Sequence, residues 1–441
     1  MVGLVFQIVK HGRSLLIAVV ACATVLVAVP TQAVDAPPAR DVLVPTQVID
    51  ATTPAPTRAG LATKLRSVLP LSTKVSVADP TTQSVVFGRQ ANSVAIPAST
   101  MKLITAASVL TALGPSARVT TKVVRAGKKI TLVGGGDPTL VTRAVTPGPD
   151  AGGPASLEEL AKRTIEKLPA GTSVKLVYDA SLFTGPSLGP GWSGSFPSAG
   201  IAAPVSALVV DGAHTKTGTI SRVSDPARQA ALEFASLLRG DGVVVKGVVA
   251  GSAADDAELI AAVDSMSIAD MVERAETDSD NDVAEALAHL AGLKRSGEAS
   301  FAGGAQASLA ALKDLNIPTD GLVIMDGSGL SPENRIAPST LTEVLTHAVR
   351  LQPAQLWPIT SGLAVAGLTG TLADRMNTQA AGVVRAKTGT LIGVSALAGT
   401  VRDVDGRVLV FAFLASGVSS VDSVRVALDN SASALAYCGC S

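Results

Sequence analysis

Apolar residues run almost without a break from Leu15 to Val29, with Lys10 and Arg13 before them and Pro30-Thr31-Gln32-Ala33 after. A basic flank, an apolar stretch and a small-residue cleavage site near Ala33 are the layout of a secretory signal. Left uncleaved, the same segment reads as a membrane anchor slightly short of the roughly 18 to 20 residues that span a bilayer. Cys22 sits inside the apolar region and not at its end, which argues against a lipidation site. From Val34 to Thr57 the pattern vanishes among Pro37, Pro38, Pro45, Pro54 and Pro56, so residues 34–57 read as an extended linker.

Periodic structure begins near Ala59. Val-rich runs at 74–78 and 84–87 flank Asp79-Pro80-Thr81-Thr82, which predicts a hairpin. Leu103, Ala106, Ala107, Leu110 and Leu113 recur at helical spacing between Pro97 and Gly114-Pro115, so a helix is expected over 99–113. Residues 119–255 change character to short strands at 121–124, 130–133, 174–178, 207–210 and 242–249, with helices at 156–167 and 226–238. Helical spacing returns from Ser267, breaks at 277–281 and resumes at 283–293. Strands are expected at 383–390, 395–401 and 408–414, the last two joined across Asp405-Gly406, before a closing helix over 421–437.

The chain is 47% hydrophobic and 16% charged over 441 residues, a globular composition with room for two or three domains. Loss of Lys10 and Arg13 with the signal takes the 36 basic residues to 34, against 36 acidic. No basic domain is present to bind nucleic acid. Beyond the signal only Cys438 and Cys440 remain, too few for a disulfide framework or a cysteine metal site, and they are expected to lie in a frayed tail. His11, His214, His289 and His347 show no metal-ligand spacing, and no cofactor is expected.

Three short segments carry candidate chemistry. Ser99 and Lys102 stand one helical turn apart, so the lysine projects beside the serine and, as a neutral amine, can take its proton. Burial and nearby positive charge are what lower a lysine pKa enough for that. A chain of this size carries on the order of one such pair by chance. Ser279 and Asn281 place a hydroxyl and an amide on a loop between helices, although Thr277 to Asp282 equally reads as a helix break with capping residues. Lys387-Thr388-Gly389-Thr390 sets a cation and hydroxyls on a strand, an arrangement suited to a terminal carboxylate beside a strand-like substrate. Lys216-Thr217-Gly218-Thr219 spells the same letters. It precedes Ser279 in a polar stretch, whereas Lys387 follows Ser279 on an apolar strand, so Lys387 is the candidate and Lys216 a loop.

In that order the segments resemble the SxxK, SxN and KTG triplet of penicillin-recognising serine acyltransferases. Pro97 to Leu103, Gly136-Asp137-Pro138-Thr139-Leu140, Asp326 to Ser331, Gly370-Thr371-Leu372 and Ala386 to Leu391 are similar to the D-alanyl-D-alanine carboxypeptidase/endopeptidase family of low-molecular-mass penicillin-binding proteins, peptidase family S13, often called the DacB type. The resemblance runs from about Ala59 to Ala436. It implies an α/β (α+β) penicillin-recognising fold, an antiparallel sheet flanked by helices with an all-helical subdomain, over 58–118 and 262–437. It also implies a strand-rich inserted subdomain over 119–261.

The same resemblance implies roles for the residues. Ser99 attacks the carbonyl of the penultimate D-Ala of a peptidoglycan stem peptide, Lys102 accepts its proton, and Ser279 passes a proton to the departing D-Ala. Asn281 holds the substrate backbone, Lys387, Thr388 and Gly389 face the terminal carboxylate, and the backbone N–H groups of Ser99 and Thr390 form the oxyanion hole. β-Lactams are implied as covalent inhibitors. Asp179, in Val177 to Phe183, resembles the aspartate that faces the diamino acid of the stem peptide, although an aspartate after a strand is more often a turn residue. The interval from Ser99 to Ser279 is shorter than in members with two inserted subdomains, and the shortfall falls after Asp211-Gly212, so one insert is expected. A class A β-lactamase is disfavoured by the long gap between the first two motifs, and Gly185-Pro186-Ser187-Leu188-Gly189 lacks the strand-turn-helix setting of a nucleophile elbow. A binding protein that keeps the fold without turnover is the remaining alternative, and no motif residue is lost to favour it. The exported chain is expected to work outside the cytoplasm, secreted or anchored.

Overall fold

The computed structural model describes residues 58–145, 153–169, 171–216, 218–378 and 380–439. The signal or anchor, the linker, Cys22, His11 and Cys440 lie outside the described residues. Among the described residues no helix is long and apolar enough to cross a membrane.

Helix α1 (Arg58–Arg66) leads into the hairpin β1 (Lys74–Asp79) and β2 (Ser84–Arg89), then a 3-10 turn (Ala98–Met101) that runs straight into α2 (Lys102–Leu113). Next come β3 (Thr120–Ala126), β4 (Lys129–Val133), α3 (Leu157–Glu166), β5 (Ser173–Asp179), α4 (Pro226–Gly240), β6 (Val244–Ala250) and β7 (Glu258–Asp264). Helices α5 (Ile268–Thr277), α6 (Asn281–Ser296), α7 (Phe301–Asp314), α8 (Pro338–Arg350) and the short α9 (Trp357–Ser361) follow. The chain closes with β8 (Ala364–Val365), β9 (Val384–Leu391), β10 (Val394–Arg402), β11 (Val408–Ser416) and α10 (Val421–Ala436).

Two sheets result. The first has the order β2-β1-β11-β10-β9-β8 and is antiparallel throughout. Strand β11 shows why both its faces are covered. Val410, Ala412 and Leu414 join α2, α5, α6 and α8 in one core, while Leu409, Phe411 and Phe413 join residues of α1 and α10 in another. Alternate side chains point to opposite faces, so a strand apolar at every position must be buried on both. Asp79 at the end of β1 accepts from Arg407 in the β10–β11 turn, a buried ion pair that ties the ends of three strands.

The second sheet, β6-β5-β4-β3-β7, pairs only strands from residues 120–264 and has its own core. Pairs β4–β5 and β5–β6 are parallel, so each needs a crossover, and α3 and α4 supply them. Strand β7 escaped the sequence reading and carries the sheet past residue 261. Residues 207–210, expected as a strand, instead make an isolated bridge from Leu208 to Asp137. The tail also departs from expectation. Cys438 is fully buried in the core beside α10 and is disulfide-bonded, because α10 packs back onto the sheet and carries it inward.

Candidate active site

Pro97 stops the preceding extended segment, and Ala98 adopts φ 46, a left-handed conformation that a non-glycine residue holds at a cost of about 1–3 kcal/mol. That twist sets Ser99 on the 3-10 turn and not, as expected, on the α-helix proper. The turn lies against β9. A Cβ at Gly389 would fall 2.9 Å from the Pro97 carbonyl oxygen and 3.1 Å from Ala98 Cβ, so glycine there lets the Lys387 strand approach the nucleophile.

Lys102 opens α2 and is 1% exposed. Its Nζ lies 2.8 Å from Asn281 Oδ1, 2.9 Å from the Ser328 carbonyl oxygen and 3.2 Å from Ser99 Oγ. The amide of Asn281 has its orientation set by Nδ2, which donates to the Ile201 carbonyl at 2.7 Å. Two of the three neighbours of Nζ are therefore pure acceptors. A neutral amine satisfies them with its two hydrogens and turns its lone pair to the third, the Ser99 hydroxyl. Burial lowers Lys102 to about 8, opposed by the carboxylates of Glu285, Asp326, Asp280 and Glu276.

Ser279 sits in the break between α5 and α6 with φ 60, a second strained backbone position beside the nucleophile's lysine. Asp280 caps α6 by accepting from Val283 N–H, and Asn281 is the first residue of that helix, so it is helical and not in an extended loop. Asp282 accepts from Ala203 N–H at 2.7 Å and pairs with Arg222 at 3.3 Å. Together with the Asn281–Ile201 bond these contacts hold residues 201–222 of the insert against the site.

Lys387 is fully buried on β9, and Nζ donates to the Thr388 carbonyl at 3.0 Å. Burial and the neighbouring Lys102 lower its pKa, while Glu276 opposes that shift. Thr388 Oγ1 donates to Thr371 Oγ1 at 3.0 Å. Thr371 belongs to the turn Gly370–Leu372, where Gly370 has φ 54 and a Cβ would meet the Thr277 carbonyl at 2.2 Å. The turn thus braces the Lys387 strand against the Ser279 loop.

Asp179 does not join this cluster. Its Oδ1 accepts from Ser181 N–H and Oγ–H at 2.9 and 2.6 Å, and Oδ2 accepts from Ala253 N–H at 2.8 Å. Oδ1 thus serves its own turn, and Oδ2 ties the end of β5 to the segment after β6. It lines a cavity of about 540 Å³ with Leu113, Leu182, Leu290 and Leu293, and none of Ser99, Lys102, Ser279, Asn281 or Lys387 borders that cavity.

Several supporting residues carried no role in the sequence reading. Glu285 accepts from Gly327 and Ser328 N–H at 3.0 and 2.7 Å and so aims the Ser328 carbonyl at Lys102. Its position four residues after Asn281 on one helix face was the available signal. Asp326 gathers Gly329 N–H, Ser331 N–H, Asn334 Nδ2 and Trp192 Nε1, fixing the same loop and bringing the insert's Trp192 to it. Lys216 lies in an exposed turn whose Thr219 hydroxyl donates back to the Lys216 carbonyl at 2.8 Å. His289 is buried, its pKa lowered by burial, with its ring against Phe183 and Phe301. Among the described residues no cluster of three His, Cys, Asp or Glu side chains could hold a metal.

A serine beside a buried lysine, a strained second serine and a strand lysine, on a helix-flanked antiparallel sheet, define a penicillin-recognising serine acyltransferase. The sequence model of the D-Ala-D-Ala carboxypeptidase 3 (S13) family matches residues 69–221 and 212–435, and the chain belongs to that family. The two matched stretches meet at 212–221, where the sequence reading puts the missing second insert. Carboxypeptidase DacB of Mycolicibacterium smegmatis is 34% identical over 412 residues, 89% of this chain and 87% of that protein. The D-alanyl-D-alanine carboxypeptidase of Actinomadura sp. strain R39 is 36% identical over 280 residues, 61% of this chain and 48% of that protein. The crystal structure of penicillin binding protein 4 (dacB) from Haemophilus influenzae superposes with a TM-score of 0.70 at 21% identity, covering 85% of this chain and 97% of that one. That protein is also known in complex with a β-lactam.

Proposed function

We propose that this serine-type D-Ala-D-Ala carboxypeptidase acts on peptidoglycan stem peptides through a Ser99 acyl-enzyme, with Lys102 as the base. The observation that carries the assignment is the Lys102 amine, whose two other neighbours accept hydrogen bonds and leave its lone pair for Ser99. The Ser99 proton passes to Nζ as Oγ bonds to the penultimate D-Ala carbonyl carbon. The oxyanion forms between the backbone N–H groups of Ser99 and Thr390, a donor pair worth roughly 10²-fold or more in rate. Ser279 relays the proton from Lys102 to the departing amine as the C–N bond breaks. Water then attacks the ester carbonyl carbon as Lys102 takes its proton, and Lys102 returns that proton to Ser99 Oγ as the acyl–Oγ bond breaks and the shortened peptide leaves. Asn281 lies beside the substrate backbone, and Lys387 with Thr388 receives the terminal carboxylate along β9.

Residues 119–264 act as one inserted subdomain that narrows the cleft through its 201–222 segment. The protein works outside the cytoplasm, delivered by residues 1–33 and secreted or held at the membrane by them. Endopeptidase action on cross-linked stems belongs to the same chemistry, because the side-chain amine of the neighbouring stem's diamino acid replaces the terminal D-Ala as leaving group. Fluorescent penicillin is expected to label the native protein and not Ser99→Ala. Labelling that persists in the variant would refute the nucleophile. D-Ala release from a pentapeptide stem, set against cleavage of a cross-linked dimer, ranks the two activities.

A further inference from the structure

Glu276 is a fully buried carboxylate on the last turn of α5, three residues before Ser279, with its Cβ against the backbone of Gly362. Neither of its oxygens has a hydrogen-bond partner. A buried carboxylate without donors is tolerated only beside a compensating charge or as the neutral acid. The charges that act on it are those of Lys387 and Lys102, and burial raises its pKa against them. Lys387 has the complementary deficit. It is equally buried, stands beside a second lysine, and its hydrogen bond to the Thr388 carbonyl leaves two N–H donors for an anion.

We propose that Glu276 is a positioning residue that serves as resident counter-ion of Lys387 in the empty site, and that an arriving substrate carboxylate takes over this role while Glu276 takes up a proton from solvent. The lysine is thereby kept cationic before binding, without a hydrogen-bonded ion pair that substrate would have to break. After binding, the substrate carboxylate and Glu276 would be two anions sharing one cation, and protonation of the buried member relieves the repulsion. The balance is one proton gained from bulk water per carboxylate bound, with no covalent change.

Other charged groups around the cluster set its baseline. Asp278 and Arg375 act on Lys387, and Asp280, Glu285 and Asp326 act on Lys102. Glu276 acts on both lysines. Its loss therefore lets both give up their protons at lower pH. The acid limb of kcat/KM, where Lys102 must become neutral, and the alkaline limb, where Lys387 must stay charged, then move in the same direction.

The test is the pH profile of Glu276→Gln on an N-acylated D-Ala-D-Ala peptide. Both limbs are expected to move to lower pH, with KM raised threefold or more on the alkaline side and converging with wild type on the acid side. A uniform drop with unmoved limbs is what a packing role gives, and it would overturn the proposal. A second measurement reads the proton directly. Calorimetric titration of Ser99→Ala and of Ser99→Ala with Glu276→Gln, using the same peptide near neutral pH in two buffers of different ionisation enthalpy, should report more proton uptake in the first than in the second, and equal uptake in the two overturns the proposal. The inference rests on Lys387 holding the substrate carboxylate. That assignment fails separately if Lys387→Ala leaves KM unchanged at every pH.

Discussion

Lys216 and Lys387 each open the letters Lys-Thr-Gly-Thr, and the fold treats them oppositely. Lys216 is exposed in a turn whose hydrogen bonds close on themselves through the Thr219 hydroxyl. Lys387 is buried on a strand paired on both edges, between β10 and β8, with its glycine pressed against the turn that bears Ser99. The same letters leave the Lys216 amine in water and bury the Lys387 amine beside the charges of Lys102 and Glu276. What separates them is desolvation, because a cation taken out of water responds to every neighbouring charge.

The largest expected effect bears on what makes the Lys387 copy functional, its proximity to Lys102 and Ser99. Lys102→Ala should lower kcat/KM for D-Ala release by about 10⁴-fold, measured by coupled assay, since removal of the base leaves Ser99 a poor nucleophile. Next comes the direct contrast. Lys387→Ala should cost about 10²-fold or more in kcat/KM, of the size lost with a charge-assisted contact to substrate, while Lys216→Ala should leave it within twofold. Equal losses in the two variants would remove the basis of the comparison.

The pH profile sharpens it further. Below about 8 Lys102 gains a proton and loses the lone pair that faces Ser99, while Lys387 gives up its proton above about 7, so the acylation rate should peak in a narrow band between those values and fall on either side. Stopped-flow acylation by a chromogenic β-lactam reads both. Thr371→Val removes the hydroxyl that receives Thr388 Oγ1 and should cost roughly threefold to tenfold in kcat/KM with little change in Tm. The smallest catalytic effect is expected at Asp179→Asn, within twofold, with thermal unfolding instead showing a loss of about 1–2 kcal/mol from its turn.

Much of this arrangement was legible in the sequence. The hairpin at β1–β2, helix α2, the capped helix α5 with its Ser267–Asp270 box, and strands β9 to β11 follow from local periodicity and turn residues. Strand β7 was not, because Glu258 to Asp264 alternates weakly and is fixed by pairing with β3, a long-range contact. The three motif segments were found by order along the chain. Glu285, Ser328, Asp326 and Glu276 were not assigned, since their roles come from a carbonyl, a loop and a buried carboxylate that only the packed fold brings to Lys102. Asp179 came from the resemblance alone, and the sequence shows its bonds to Ser181 but not the one from Ala253, which only the packed fold brings to it.

The central claim is that Lys102 makes Ser99 a nucleophile while Lys387, buried on β9, holds the carboxylate of the molecule that Ser99 attacks. Mass mapping of the β-lactam adduct in wild type, Lys216→Ala and Lys387→Ala tests this most directly. The account predicts one adduct, on the peptide containing Ser99, formed at the same rate in wild type and Lys216→Ala and at least about 10²-fold more slowly in Lys387→Ala. An adduct on another serine, or one whose rate ignores Lys387, would contradict it.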